Sequence, residues 1–217
     1  MTVAAVIFDL DGVLLDSEQV WDGAKRDLVR DRGGRWTDTA SRDMLGMSST
    51  EWSAYMRDEL RVPLDAEEID REVVDRLLRR YEAEPPFLPG AREAVERIGD
   101  RWPLGLASSS NRVVIDTVLA ALGVTDRFAA TVSSEEVGRG KPAPDVYLEA
   151  ARRLGADPAD TVAIEDSENG IRSAHDAGMR VVALPNPHFP PGEQALALAA
   201  TTLRGLDGLT PEAVEGR

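Results

Sequence analysis

The chain has 217 residues, enough to bury a sizeable core and to hold one domain with an insertion or two small domains. Its 25 Lys+Arg stand against 39 Asp+Glu, a formal charge of −14, which argues against nucleic acid as a partner and requires any anionic substrate to be held by a local positive site. With no cysteine, neither disulfides, cysteine-based zinc sites nor thiol catalysis can be involved.

The chain opens on an apolar run over 3–8, rich in β-branched residues and ending in Phe8, of strand length and composition. It is too short for a signal peptide and is broken by Asp9. No stretch is long enough to span a membrane, so a soluble cytoplasmic protein, monomeric by default, is the expectation. Asp9 and Asp11 close the run, and strand alternation puts both carboxylates on one side at its carboxyl end. Gly12 then permits a sharp turn or a close approach to a ligand. Two acids crowded at a strand end repel one another unless a cation or proton intervenes, and oxygen-only ligands suit a hard divalent cation. On these residues alone, an Asp-rich turn is an equal reading.

Residues 17–85 read as all helical. Ser17 is placed to cap a helix to about residue 31, stopped by Gly33-Gly34. Ser48 and Glu51 form a capping box opening a helix through residue 60, and Pro63 breaks it. Asp65 caps a third helix over 66–83, with Ile69, Val73, Leu77 and Tyr81 on one stripe. Pro85-Pro86 and Pro89-Gly90 bracket the end of this region as a hinge. From residue 91 the pattern alternates: helix 91–100, strand 104–107, helix 112–122 with Asn111 as its cap, strand 130–132, helix 144–154, strand 161–164, helix 167–177, strand 180–184. Such alternation argues a parallel sheet covered by helices, hence an α/β, doubly wound core. The helical region is an insertion after the first strand, over the edge where Asp9 and Asp11 lie. The tail reads as helical and peripheral.

Three more segments end at that edge. Ser108-Ser109-Ser110-Asn111 is a row of hydroxyls leading into a helix N-terminus, a natural phosphate cradle and equally a plain cap. Gly140-Lys141-Pro142-Ala143-Pro144 holds one lysine on a stiff loop, where its position matters. Val162-Ala163-Ile164-Glu165-Asp166-Ser167 repeats the opening theme, an apolar strand ending in two acids.

Together these residues resemble the haloacid dehalogenase superfamily of phosphotransferases. Asp9-Leu10-Asp11-Gly12-Val13 matches its first motif, Ser108 the second, Lys141 the third and Glu165-Asp166 the fourth. The resemblance covers nearly the whole chain and implies a Rossmann-like core (1–15 and 86–217) with a helical cap (16–85). Lys141-Pro142-Ala143-Pro144-Asp145-Val146-Tyr147 and Glu165-Asp166-Ser167-Glu168-Asn169-Gly170 are similar to the branch holding β-phosphoglucomutase and the small sugar-phosphate phosphatases.

The resemblance implies a Mg²⁺-dependent phosphomonoesterase acting on a small phosphate ester, a sugar or polyol phosphate. Asp9 is then the nucleophile and Asp11 the general acid and base. Mg²⁺ is held by Asp9, the Asp11 carbonyl, Asp166 and, directly or through water, Glu165. Ser108, Ser109 and Lys141 hold the phosphoryl oxygens. Gly12, Glu18, Trp21, Gly46 and Asn111 are the candidates for substrate selection. Three alternatives remain: a β-phosphoglucomutase-type mutase, a phosphoglycolate phosphatase-like hydrolase, and a non-catalytic phosphate-binding module. The mutase carries a histidine where this chain has Trp21, and neither His175 nor His188 lies in 16–85. The run Asp16-Ser17-Glu18-Gln19-Val20-Trp21 instead looks like the hexose- and hexitol-phosphate phosphatases, although Trp21 as a packing aromatic is an equal reading.

Overall fold

The computed structural model describes residues 2–44, 47–187 and 189–216. Six strands form one parallel sheet: β1 (Ala5–Phe8), β2 (Leu104–Ser108), β3 (Phe128–Ser133), β4 (Thr161–Glu165), β5 (Arg180–Ala183) and β6 (Thr201–Thr202). Their order is β3-β2-β1-β4-β5-β6, so the chain leaves β1 towards one side and returns to its other side at β4. That reversal opens a crevice at the carboxyl end of β1, the place where open α/β sheets bind ligands. β1, β2 and β4 are buried along their whole length, as expected where helices cover both faces of a parallel sheet.

Between β1 and β2 the chain is helical: α1 (Glu18–Arg32), α2 (Ala40–Asp43), α3 (Ser49–Asp58), α4 (Ala66–Ala83) and α5 (Ala91–Gly99). Ala24, Leu28, Trp52, Met56, Ile69 and Val73 form an apolar cluster among the first four. α4 belongs to two cores, since its Val74, Leu77 and Tyr81 pack into the cluster under the sheet. The order continues with α6 (Arg112–Leu122), α7 (Asp145–Leu154), α8 (Glu168–Asp176), α9 (Glu193–Leu196) and α10 (Pro211–Glu215).

Local signals set most boundaries. Asp65 accepts from the Glu68 N–H at 2.8 Å and caps α4. Gly33 ends α1 in the left-handed region. Ser17 and Asn111 stand at N-cap positions without side-chain cap bonds, because tertiary partners capture both side chains. The tail corrects its sequence reading. Thr201–Thr202 adds a sixth strand, and Leu206, Leu209 and Val214 are buried in the sheet's main cluster. Elements this short carry no measurable periodicity.

Candidate functional site

Four segments meet at the crevice, and each brings a side chain for a local reason. The Asp9 N–H extends the ladder of β1 to the Ile164 carbonyl at 3.0 Å, which fixes Asp9 at the sheet edge. Gly12 turns the chain with φ of +78°, and a Cβ there would sit 1.9 Å from Asp166 Oδ2. Only glycine meets both conditions. Lys141 Nζ donates to Asp9 Oδ1 at 2.8 Å and to Glu165 Oε1 at 2.6 Å, with all three side chains buried.

Glu165 is saturated by donors. Its Oε1 also accepts the Tyr147 hydroxyl at 2.8 Å, while Oε2 accepts the N–H groups of Asp166 and Ser167 and the Ser167 hydroxyl. Gly170 lets α8 close onto it, since a Cβ there would overlap the Glu165 carboxylate at 1.9 Å. Asp166 differs: among the described residues no donor reaches its buried carboxylate. Oxygens of Asp9, Glu165 and Asp166 lie within 4.8 Å of one another.

The electrostatics follow from that crowding. Burial pushes Asp9 up to about 8, with Glu165 and Asp11 adding and Lys141 opposing. Burial, then Glu165 and Asp9, drive Asp166 well above the usual carboxylate range. For Lys141, burial favours the neutral amine but the Asp9 and Glu165 charges outweigh it and hold the ammonium. Three acids share one ammonium, and one of them lacks any donor. These groups could hold a divalent cation, and the oxygen-only donor set fits a hard one.

Asp11 faces a different company. Its Oδ1 accepts the Ser17 hydroxyl at 2.5 Å and the Trp21 indole N–H at 3.2 Å, and its Oδ2 accepts the Ser110 hydroxyl at 2.6 Å. Ser17 therefore serves Asp11 and not its own helix. Trp21 is more than a packing aromatic. Ser108 is wholly buried, and its hydroxyl accepts the Ser110 N–H at 3.0 Å, shaping the β2–α6 loop. Ser109 lines two cavities.

Those cavities adjoin. The smaller, about 390 Å³, is lined by Asp9, Lys141 and Asp166; the larger, about 550 Å³, by Trp21, Lys25, Trp52 and Asn111. They share Asp11, Glu18, Ser109 and Phe189, so one molecule can reach both. Asn111, read as a cap, gives its Nδ2 to both Asp70 oxygens (3.0 and 3.2 Å) and to Glu135 (2.8 Å), tying α4 to the sheet core. Gly46 lies outside the described residues. Sequence reasoning missed Ser110, Lys25, Tyr147 and Phe189. The serine row and the Lys-Pro motif contained the first and third, whereas Lys25 showed only as one position of a polar helical stripe and Phe189 left no signal.

A family model for haloacid dehalogenase-like hydrolases matches residues 3–178. The chain belongs to that family. Within it, the chain is 36% identical to hexitol phosphatase B of Escherichia coli K12, over 99% of this chain and 97% of that protein. It is 30% identical to the fructose-1-phosphate phosphatase of the same organism, over 82% and 95%. Among solved structures, CbbY of Rhodobacter sphaeroides in complex with phosphate superposes with a TM-score of 0.88 at 25% identity, covering 99% of this chain and 100% of that one. No described helix is long and apolar enough to cross a membrane.

Proposed function

We propose that this hydrolase is a Mg²⁺-dependent phosphatase of hexose or hexitol monophosphates, with helices 16–85 acting as a cap over the sheet core of 1–15 and 86–217. The observation that carries the reading is the buried Asp9 carboxylate, bonded to Lys141 beside the donorless Asp166 and open to a cavity. The relatives named as hexitol and fructose-1-phosphate phosphatases support the substrate class.

In this mechanism the Asp9 carboxylate attacks phosphorus, the bond to the leaving alcohol breaks, and Asp11 gives that alcohol its proton. Asp11 then takes a proton from water as the water oxygen attacks phosphorus and the Asp9–phosphorus bond breaks, releasing inorganic phosphate. Lys141 and the Ser108–Ser109 loop hold the phosphoryl oxygens, and Glu165 holds Lys141. The Asp9 and Asp166 carboxylates and the Asp11 carbonyl would hold Mg²⁺, which neutralises phosphoryl charge.

The Trp21–Asp11 contact favours hydrolysis over isomerisation. Indole only donates, so Trp21 orients Asp11 and relays no proton that would withhold it from water. The protein is incubated with β-glucose 1-phosphate, glucose 1,6-bisphosphate and Mg²⁺, and glucose 6-phosphate and inorganic phosphate are followed together. Phosphate release without a bisphosphate requirement is expected. Glucose 6-phosphate accumulating well ahead of phosphate promotes the mutase, and inert binding of every ester promotes a binding module.

A further inference from the structure

One face of α1 is polar, looks into the larger cavity, and ends in a charge with no partner. Glu18, Trp21, Asp22 and Lys25 recur at i, i+3, i+4 and i+7, a single helical stripe, and all four line that cavity. Ala24, Leu28 and Val29 are buried in the helical cluster, and Val20 and the partly buried Trp21 pack beside them. The polar stripe is thus left to face the space between α1 and the sheet edge.

Lys25 is only 8% exposed. Among the described residues its ammonium donates no hydrogen bond and forms no ion pair. Its company is aromatic, with Nζ 4.8 Å from the Trp52 ring centroid and 5.6 Å from that of Trp21. Burial pulls its pKa down to about 8, against the opposing pull of Glu18, Asp22 and Asp11. Glu18 lies two helical turns away, about 10 Å along the axis, without an ion pair to it. Asp22 Oδ2 is bonded to Arg26 at 2.6 Å, and its buried Oδ1 has no hydrogen-bond partner among the described residues, Lys25 included. A buried ammonium without an acceptor is costly to the fold and is expected only where an entering molecule supplies one.

We propose that Lys25 is a specificity-determining residue whose ammonium donates to a hydroxyl of a neutral, polyhydroxylated leaving group seated against the Trp21 and Trp52 indoles. Glu18, at the junction of the two cavities, accepts from another hydroxyl of the same chain. The indole faces take its C–H edges. Arg26 offsets Asp22 on this wall, and Asp11 and Glu18 face the one unpaired ammonium of Lys25, so a leaving group bearing a second phosphate or a carboxylate finds no surplus cation to hold it. This inference rests on the phosphatase reading above and narrows its substrate to neutral polyol chains.

The test compares wild type, Lys25→Met and Lys25→Arg on sorbitol 6-phosphate, 6-phosphogluconate and p-nitrophenyl phosphate. Wild type is expected to prefer sorbitol 6-phosphate to 6-phosphogluconate. Lys25→Met is expected to raise KM for sorbitol 6-phosphate about tenfold or more, with a smaller change in kcat, the loss of one charge-assisted hydrogen bond. The ratio of kcat/KM for sorbitol 6-phosphate to that for p-nitrophenyl phosphate falls by a similar factor, and Lys25→Arg recovers part of it. If the Met variant does not fold, the same ratio in Lys25→Gln decides. An unchanged ratio, equal losses on both esters, or wild-type preference for 6-phosphogluconate overturns the inference alone. No phosphate release by wild type from any sugar phosphate overturns it together with the phosphatase reading.

Discussion

The sheet edge and the helical wall facing it treat their charged groups in opposite ways. At the edge, Asp9, Lys141 and Glu165 are buried and bonded to one another, with Tyr147 and the start of α8 holding Glu165 from behind. On the wall, Glu18 and Lys25 are largely buried, yet neither forms an ion pair or hydrogen bond with a described residue. On the proposed function, the groups that meet every substrate's phosphate at one position are held by the fold, and those proposed to meet the variable part of the substrate are left for the substrate to complete.

The comparison is broken most severely at Asp9. Asp9→Asn keeps the shape but removes the proposed nucleophile, and multiple-turnover phosphate release is expected to fall at least about a thousandfold with the fold intact. Circular dichroism and steady-state kinetics check both parts. Substantial residual turnover would remove Asp9 from the reaction.

Asp166→Ala tests whether the donorless carboxylate exists for a cation. Mg²⁺ affinity is expected to drop by about tenfold to a hundredfold, with activity partly recovered at high Mg²⁺. The Mg²⁺ titration of the rate is the measurement. An unchanged Mg²⁺ dependence would assign Asp166 a structural role.

Between the two regions stands Asn111, whose amide separates the Asp70 and Glu135 carboxylates. Asn111→Ala leaves those two acids facing each other and is expected to loosen the contact of α4 with the sheet core. We expect KM for sugar phosphates to rise by about threefold to tenfold, with kcat less affected, as for a contact worth about 1 kcal/mol. Steady-state kinetics reads this, and a change confined to kcat would refute it.

The smallest effect sharpens the comparison through stability. Burial, aided by Asp11, raises Glu18 from its ordinary value to about 7. A carboxyl with a raised folded pKa adds stability that is fully present below its unfolded pKa and is lost as pH rises through the folded one. Wild type should therefore lose stability between about pH 4.5 and about pH 7 on account of Glu18. Lys25, lowered to about 8, keeps a constant cost over that range, because its ammonium is charged in both folded and unfolded chains. In Glu18→Gln this part of the decline, about 1–3 kcal/mol, disappears from thermal melts recorded across the same range. An identical pH dependence in the variant would show that Glu18 is solvated.

The sheet edge was legible because its chemistry lies in contiguous runs. Asp9 to Val13, Gly140 to Pro144 and Val162 to Ser167 each follow or precede a strongly apolar segment, and alternation alone places their acids at strand ends. The Asp65 cap and the Ile69–Tyr81 stripe of α4 were legible for the same reason, being contacts within one helix. The wall was not. The Glu18–Lys25 spacing is visible in the sequence, but a polar stripe at i, i+3, i+4, i+7 ordinarily faces water. Only the placement of α1 opposite the β2–α6 loop, across the cavity that both line, turns it away from water. Ser17 and Asn111 show the limit most clearly. Local rules assign both to helix capping, a hydrogen bond worth about 1 kcal/mol. Tertiary folding instead presents the Asp11 carboxylate to Ser17, and the Asp70 and Glu135 carboxylates to Asn111. A charged acceptor outweighs a neutral backbone bond. Residue identity and local periodicity thus determined which chemistry the protein carries and on which strand ends. Which polar groups are left without partners was decided by contacts between separate segments, from Asp70 and Glu135 on Asn111 to Ser110 on Asp11.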